Sequence, residues 1–256
     1  MKAVQSLYKL PLSWMEVQKL PQDQQAALAI TNFAASEVNT LQRLFVFSAH
    51  RVTDDNDINA AIMIQRFSVL RRWSASLFEF REFLSFGPKP KEKANDMLVQ
   101  VWAKASVEKY RALEAIDGYG VVRDIRNEAG SHYSFSAAKK NIKHVSDIAD
   151  CNLYPQAQGG NSYFPMGEEV MFLGRLNRHG ANLKTKEEKM KLFDNWMAWN
   201  IQAAKWLSHV QSDLVGRILK AHFPEKKPTK RIVSIDPVLV GNEADIKVPI
   251  FYRSAQ

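Results

Sequence analysis

The segment RDIRNEAGSHYSF, residues 123–135, gathers residue types that move protons and hold anionic oxygens. Arg126 and Asn127 are adjacent, His132 and Tyr133 are adjacent, and five residues separate Arg126 from His132. An imidazole titrates near neutrality, so His132 can take or return a proton. A guanidinium stays charged and presents a planar fork of donors, so Arg126 can hold a phosphate as charge builds on it. Asn127 can orient that arginine or donate to a phosphate oxygen, and Tyr133 can stack on a base or donate to phosphate. On one ideal helix Arg126 and His132 fall about 120° apart, whereas Arg126 and Tyr133 fall within about 20°. Bringing Arg126 and His132 together therefore requires a bent arginine side chain, a helix loosened at Gly130, or a second copy of the motif. Gly130 costs a helix interior about 1 kcal/mol relative to Ala.

The same residues also have an architectural reading. Arg126 can pair with Glu79 or Glu82 on a neighbouring helix, His132 can bond a backbone carbonyl, and Tyr133 and Phe135 can pack. Two other Arg-to-His spacings compete with the segment: Arg43 to His50, with six residues between, and Arg217 to His222, with four. Neither has an Asn after the arginine or a Tyr after the histidine. Familiar alternatives are missing: there is no GxxxxGK[ST], no GxGxxG behind a strand, no CxxC and no HExxH. The sequence implies no cofactor or metal. The lone Cys151 has no catalytic partner, and the paired carboxylates of Gly167-Glu168-Glu169 suit a helix start, where they complement the dipole.

The elements that must position the motif are helical. Residues 22–51 lack Gly and Pro, with Pro21 and Asp23 at the start and a stripe at Leu41, Leu44, Phe45 and Ser48. After the cap-rich turn TDDNDIN, a second helix over 57–85 carries Phe67, Leu70, Ser74, Leu77 and Phe78, and GPKPKEK then breaks the chain. A third helix is expected over 91–116, ending at DGYG, with the motif segment as a fourth and 136–150 as a short fifth. Gly159-Gly160-Asn161 marks a turn, GEEVMFLGRLN reads as helix, and 186–223 reads as a long helix whose Trp196, Trp199 and Trp206 belong to the core. The β-branched runs KRIVSIDPVLV and ADIKVPIFY, separated by GNEAD, are expected to form a hairpin or a paired extended tail. Pro237 and Pro249 restrict these runs to edge strands or a loose lid.

The fold class is therefore mostly α: a helical domain over 1–225 and a basic, extended tail over 226–256 packed on the same domain. At 256 residues the chain can bury a substantial core, and 46% apolar with 24% charged residues is ordinary for a globular protein. A single cysteine allows no internal disulfide, which suits a reducing compartment. The opening MKAVQSLYKLPLSW lacks a continuous apolar run, and no stretch approaches bilayer-spanning length, so a cytoplasmic protein with no membrane partner is expected. The net charge of +8 permits a polyanionic partner, with six Lys/Arg against one Glu in 217–231.

The fuller phrase IRNEAGSHY resembles the signature of the HEPN superfamily: an arginine followed by a polar residue, then a histidine after four to six others. It is similar to the RN…HY form seen in many bacterial HEPN-like proteins, and QRFSVLRRWSASLFEFREFL resembles the amphipathic helix packed beside the motif helix. The resemblance spans about residues 20–225, and its specific part is only about eight residues long. It implies an HEPN-like helical bundle and a metal-independent endoribonuclease acting as a homodimer, a toxin or defence component with an antitoxin or regulatory protein as a further partner. Arg126, Asn127, His132 and Tyr133 would then be the catalytic set. A noncatalytic HEPN-like module for dimerisation or nucleotide binding remains open. So does an RNA-binding protein without chemistry, driven by the basic 217–231 segment.

Overall fold

The computed structural model describes residues 3–86, 94–129, 134–236, 239–241 and 248–252. The chain begins with strand β1 (Ala3–Lys9) and a single turn, α1 (Trp14–Val17). It continues through α2 (Gln22–Phe47), α3 (Asn56–Leu84), α4 (Met97–Glu114), α5 (Tyr119–Ala129) and α6 (Phe135–Ile142). An irregular stretch, with an isolated bridge between Tyr154 and Tyr163, leads to α7 (Pro165–Glu168). A π-helical turn at Glu169–Leu173 runs into α8 (Gly174–Arg178), and α9 (Lys186–His222) and β2 (Thr229–Ile235) complete the order. The molecule is mostly helical, and no helix among the described residues is long and apolar enough to cross a membrane.

The four long helices α2, α3, α4 and α9 pack on one another around α9. Along α9, Phe193, Trp196, Asn200, Ala203, Leu207, Val210 and Leu214 alternate at spacings of three and four, and all are buried. That is the seam a helix presents to close, nearly parallel or antiparallel neighbours. The stripe expected on α3 is buried throughout, joined by Trp73, Ser76 and Phe80. On α2 the expected stripe is only half right: Phe45 and Ser48 are buried, but Leu44 is 43% exposed.

Four tryptophans tie the bundle with their indole N–H groups. Trp196 donates to Ser74 Oγ on α3 (2.8 Å), and Trp199 to the Leu113 carbonyl on α4 (3.0 Å). Trp206 donates to the Ser106 carbonyl (3.1 Å), and Trp102 donates back from α4 to Val210 (3.0 Å). Asn200, 0% exposed within the seam, bonds the Trp196 carbonyl through Nδ2 (2.9 Å) and accepts from Ser74 Oγ (3.1 Å). A buried amide or indole left unpaired costs about 1–3 kcal/mol. Only one rotation and register of α9 against α3 and α4 satisfies this set.

Helix starts are set by capping side chains. Asp55 Oδ1 accepts from the amides of Asp57 (2.8 Å) and Ile58 (3.1 Å), and Thr185 and Glu188 form a reciprocal capping box on α9. The helix expected from residue 91 begins at Met97, because Asp96 caps it by accepting from Val99 N (3.0 Å). Asp23, expected at the start of α2, also reaches across to the amides of Asn95 (2.5 Å) and Asp96 (2.9 Å). Helix α2 stops at Phe47 rather than 51, where Ser48 Oγ turns back to the Phe45 carbonyl (2.8 Å). The expected 136–150 helix ends at Ile142. The GPKPKEK break lies outside the described residues.

Of the hairpin or paired extended tail expected from the two C-terminal runs, the first run does form a paired strand, but with a distant partner, and residues 242–247 of the second lie outside the described residues. β2 pairs antiparallel with β1 at the other end of the chain, with Ala3 opposite Ile235 and Lys9 opposite Thr229. A pairing of residues more than 200 positions apart leaves no local turn signal to read. Lys226 anchors the ribbon, donating to the Pro11 carbonyl (2.7 Å) and pairing with Glu16 (2.7 Å), which also caps α1 with Ser13. The Lys226 ammonium, then the Ser13 amide and hydroxyl, hold the Glu16 carboxyl down at about 2.

These contacts make two outcomes measurable. Ser74→Ala orphans the Trp196 N–H and the Asn200 carbonyl oxygen, so urea unfolding should show a loss of roughly 2–4 kcal/mol. Adding Asn200→Leu should cost less than the sum of the single changes, because it removes one orphan. Glu16 is depressed in the folded state, so its contribution is complete above the ordinary carboxyl value of 4.5 and fades as pH falls towards about 2. Proteolysis of the ribbon should accelerate over that window in the wild type, and Glu16→Gln should flatten the response.

Candidate functional site around the motif helix

Helix α5 is launched by a glycine that no other residue can replace without displacement. Gly118 has φ +98, and a Cβ there would lie 2.5 Å from the Asn195 carbonyl oxygen and 3.0 Å from Trp196 Cα. The DGYG turn thus passes directly against the backbone of α9, at the residue whose indole is locked to Ser74. Tyr119 then packs edge-on to Tyr110 (6.4 Å) and beside Trp199 (6.2 Å), its phenol pushed up by burial and by the nearby Glu114. Val121 and Val122 are buried, Ile125 is half-buried, and Arg123 is exposed. The apolar side of α5 is seated on α3 and α9.

Arg126 and Asn127 lie in the last turns of α5. Their side chains, and residues 130–133 with His132 and Tyr133, fall outside the described residues. Of the proposed Glu partners, Glu82 bonds Arg81 (2.7 Å), and Arg81 also reaches Glu114 (3.6 Å). The competing Arg–His spacings are taken up elsewhere. Arg43 donates to Thr40 Oγ1 (3.0 Å) while His50 Nε2 donates to the Val248 carbonyl (2.7 Å), and Arg217 pairs with Asp213 (3.0 Å).

A group that the sequence pattern does not announce surrounds Asp124, two residues before Arg126. Arg175 Nη2 donates to the Asp124 carbonyl, and His179 Nδ1 lies 3.1 Å from Asp124 Oδ2. Arg178 Nη2 lies 3.1 Å from His179 Nε2. This network assigns the ring proton to Nδ1, facing the carboxylate, and leaves Nε2 as acceptor. The His179 side chain is 37% exposed and that of Asp124 17%, so the pair sits at the rim of the bundle rather than within it. The only sequence signal is the basic phrase GRLNRH, which holds no hint of a partner 55 positions away.

The π turn is what aims this group. Glu168 makes a two-point pair with Arg71 on α3, and Glu169 bonds Lys189 on α9 through both oxygens (2.8 and 3.0 Å). The carboxylates read as dipole partners thus clamp the entry to the helix interruption to α3 and to α9. Each extra residue in a helix rotates the downstream turns by about 100°, and π turns recur at functional positions. Gly174 allows the next turn to approach α6: a Cβ there would stand 3.0 Å from both the Asn141 and the Glu169 carbonyl oxygens. The described residues thus hold Arg178 and His179 at the rim beside Asp124 on α5, while Arg175, only 6% exposed, is buried with its guanidinium on the Asp124 carbonyl. Among them no three His, Cys, Asp or Glu residues gather as a metal site.

No protein-family model, no curated protein and no solved structure matches the chain.

The seat of α5 is open to a direct check. Gly118→Ala combines an unfavourable φ with a backbone collision and should cost roughly 3 kcal/mol. Its near-ultraviolet circular dichroism, to which Tyr119, Trp196 and Trp199 contribute, should change, whereas Gly120→Ala, where a Cβ meets nothing within 4 Å, should leave both unchanged.

Proposed function

We propose that the chain is an HEPN-like, metal-independent endoribonuclease that acts as a homodimer, in the role of a toxin or defence component. The observation that carries the reading is the polar group at Asp124: α8 and the residue after it bring a buried arginine, a rim arginine and a carboxylate-held imidazole to the residue two positions before Arg126. A chain of charge +8 with an exposed Arg123 on its motif helix and Arg178 beside Asp124 is suited to a polyanion. The mostly helical bundle, with α5 packed beside α3, agrees with the architecture that the resemblance implies.

In the proposed reaction the 2′-hydroxyl of a ribose attacks the adjacent phosphorus while His132 moves its proton. Arg126 holds the non-bridging oxygens as their charge grows, and Asn127 and Tyr133 orient the phosphate and base. The P–O5′ bond breaks, the leaving oxygen takes a proton, and the products are a 2′,3′-cyclic phosphate and a free 5′-hydroxyl. Two motif copies across a dimer would supply a full set of acids and bases. An antitoxin or other regulatory protein would keep such an activity in check.

Purified protein incubated with bulk RNA in the presence of chelator should yield fragments with cyclic phosphate ends. His132→Ala should lower the rate by about 10²–10⁴-fold with the fold and oligomeric state preserved, and Arg126→Ala should lower it as well. Full activity in His132→Ala excludes this catalytic assignment. Absence of cleavage by the wild type, with RNA affinity that falls steeply in salt and survives Arg126→Ala, favours an RNA-binding module without chemistry.

A further inference from the structure

The C-terminal segment at 248–252 is held in an unusual way: groups from three separate parts of the bundle bond to its main chain. Val248 N donates to the Phe47 carbonyl (2.8 Å), and His50 Nε2 donates to the Val248 carbonyl (2.7 Å). Gln65 Nε2 donates to the Pro249 carbonyl (3.1 Å). Asn161 then grips Tyr252 from both sides, Oδ1 accepting from its N–H (2.9 Å) and Nδ2 donating to its carbonyl (2.7 Å). A side-chain amide that pairs with both polar groups of one residue imitates a neighbouring strand, which is how extended peptides are recognised.

The side chains of the segment meet a prepared surface. Phe251 packs against Tyr163 (6.0 Å), itself stacked on Tyr154 (4.4 Å, 12° between planes). Both tyrosines are fixed to the start of α3, Tyr154 donating to Asp57 Oδ1 (2.6 Å) and Tyr163 to the Asp57 carbonyl (3.0 Å). The Tyr252 ring lies on Gly160, where a Cβ would come within 2.8 Å of its hydroxyl. A cavity of about 300 Å³ beside the contact is lined by Gln156, Gln158, Asn161, Phe251 and Tyr252. Phe251 and Tyr252 remain 37% and 55% exposed, so the segment lies on the body and is not part of its core.

We propose that this groove, bounded by the end of α2, the face of α3 at Gln65 and the 154–163 loop, is a docking site for an extended peptide of the pattern Val-Pro-x-Phe-Tyr. The chain's own tail is its occupant in cis, and the same tail from a second copy can take its place. Recognition is of main-chain groups plus two aromatic rings, so nothing in the contacts depends on which copy supplies the segment. Tethering gives the cis tail an effective concentration in the millimolar range, which an added peptide must overcome. Exchange of tails between copies is a low-cost route to a symmetric dimer. The inference rests on the groove alone and stands whether or not the protein cleaves RNA.

The test uses the full chain carrying Phe251→Asp and Tyr252→Asp, which expels the tail and leaves the groove intact, and a fluorescent peptide of residues 246–254 as probe. The variant should bind the peptide at least about tenfold more tightly than the wild type, and adding Asn161→Ala should abolish the gain. Equal binding by wild type and variant, or binding unaffected by Asn161→Ala, overturns the proposal. Hydrogen exchange on the unmodified protein gives a reading that needs no variant. The Val248 and Tyr252 amides should exchange far faster than those of α9 but slower than in the free peptide. Protection as deep as that of α9 would make the segment a permanent staple and overturn the proposal too.

Discussion

Hydrogen-bonding groups sealed inside an apolar core constrain this protein more than any single contact on its surface. Apolar packing alone tolerates many small rotations of one helix against another, because dispersion and burial are nearly indifferent to them. An indole N–H or a side-chain amide is not indifferent, since a displaced partner leaves it unsatisfied where no water can reach. Trp196, Trp199 and Trp206 on α9 each find an acceptor on α3 or α4, Trp102 answers from α4, and Asn200 closes the set with Ser74. Net stabilisation per bond is only about 1 kcal/mol, so the larger consequence is specificity of register.

That register is transmitted to the motif helix through backbone contact. Gly118 lies against Asn195 and Trp196, so the start of α5 is placed by the same stretch of α9 that the hydrogen bonds fix. The second input comes from the π turn, clamped by Glu168 to α3 and by Glu169 to α9. With the entry to the interruption held from two helices, α8 and its C-cap present Arg175, Arg178 and His179 to Asp124. The helix that carries Arg126 and Asn127 thus stands at the meeting of two positioning devices.

How much of this can be read from the sequence depends on the range over which each feature is encoded. The stripes of α3 and the core placement of the α9 tryptophans are legible, because helical periodicity is local and buried apolar residues repeat it. Helix starts are legible only where the cap acts alone: Asp55 is, whereas the α4 start also depends on Asp23, 73 positions before Asp96. The β1–β2 pairing and the Asp124–His179 contact are invisible to any window, since their partners lie far apart in the chain. The π turn is equally silent, for GEEVMFLGRLN satisfies an ordinary helical pattern. Arg126 and Asn127 fall on a helix as expected, and His132 and Tyr133 lie outside the described residues.

The most direct measurement of the central constraint is hydrogen exchange of the six indole N–H groups, monitored by NMR on protein labelled at tryptophan nitrogen. The indoles of Trp102, Trp196, Trp199 and Trp206 should exchange only through global unfolding, with free energies that agree with one another and with the urea-derived stability. Exposed Trp14 should exchange at the solvent rate. If any of those four exchanged as fast as Trp14, α9 would not be locked in this register, and the seat of the motif helix would have no fixed support.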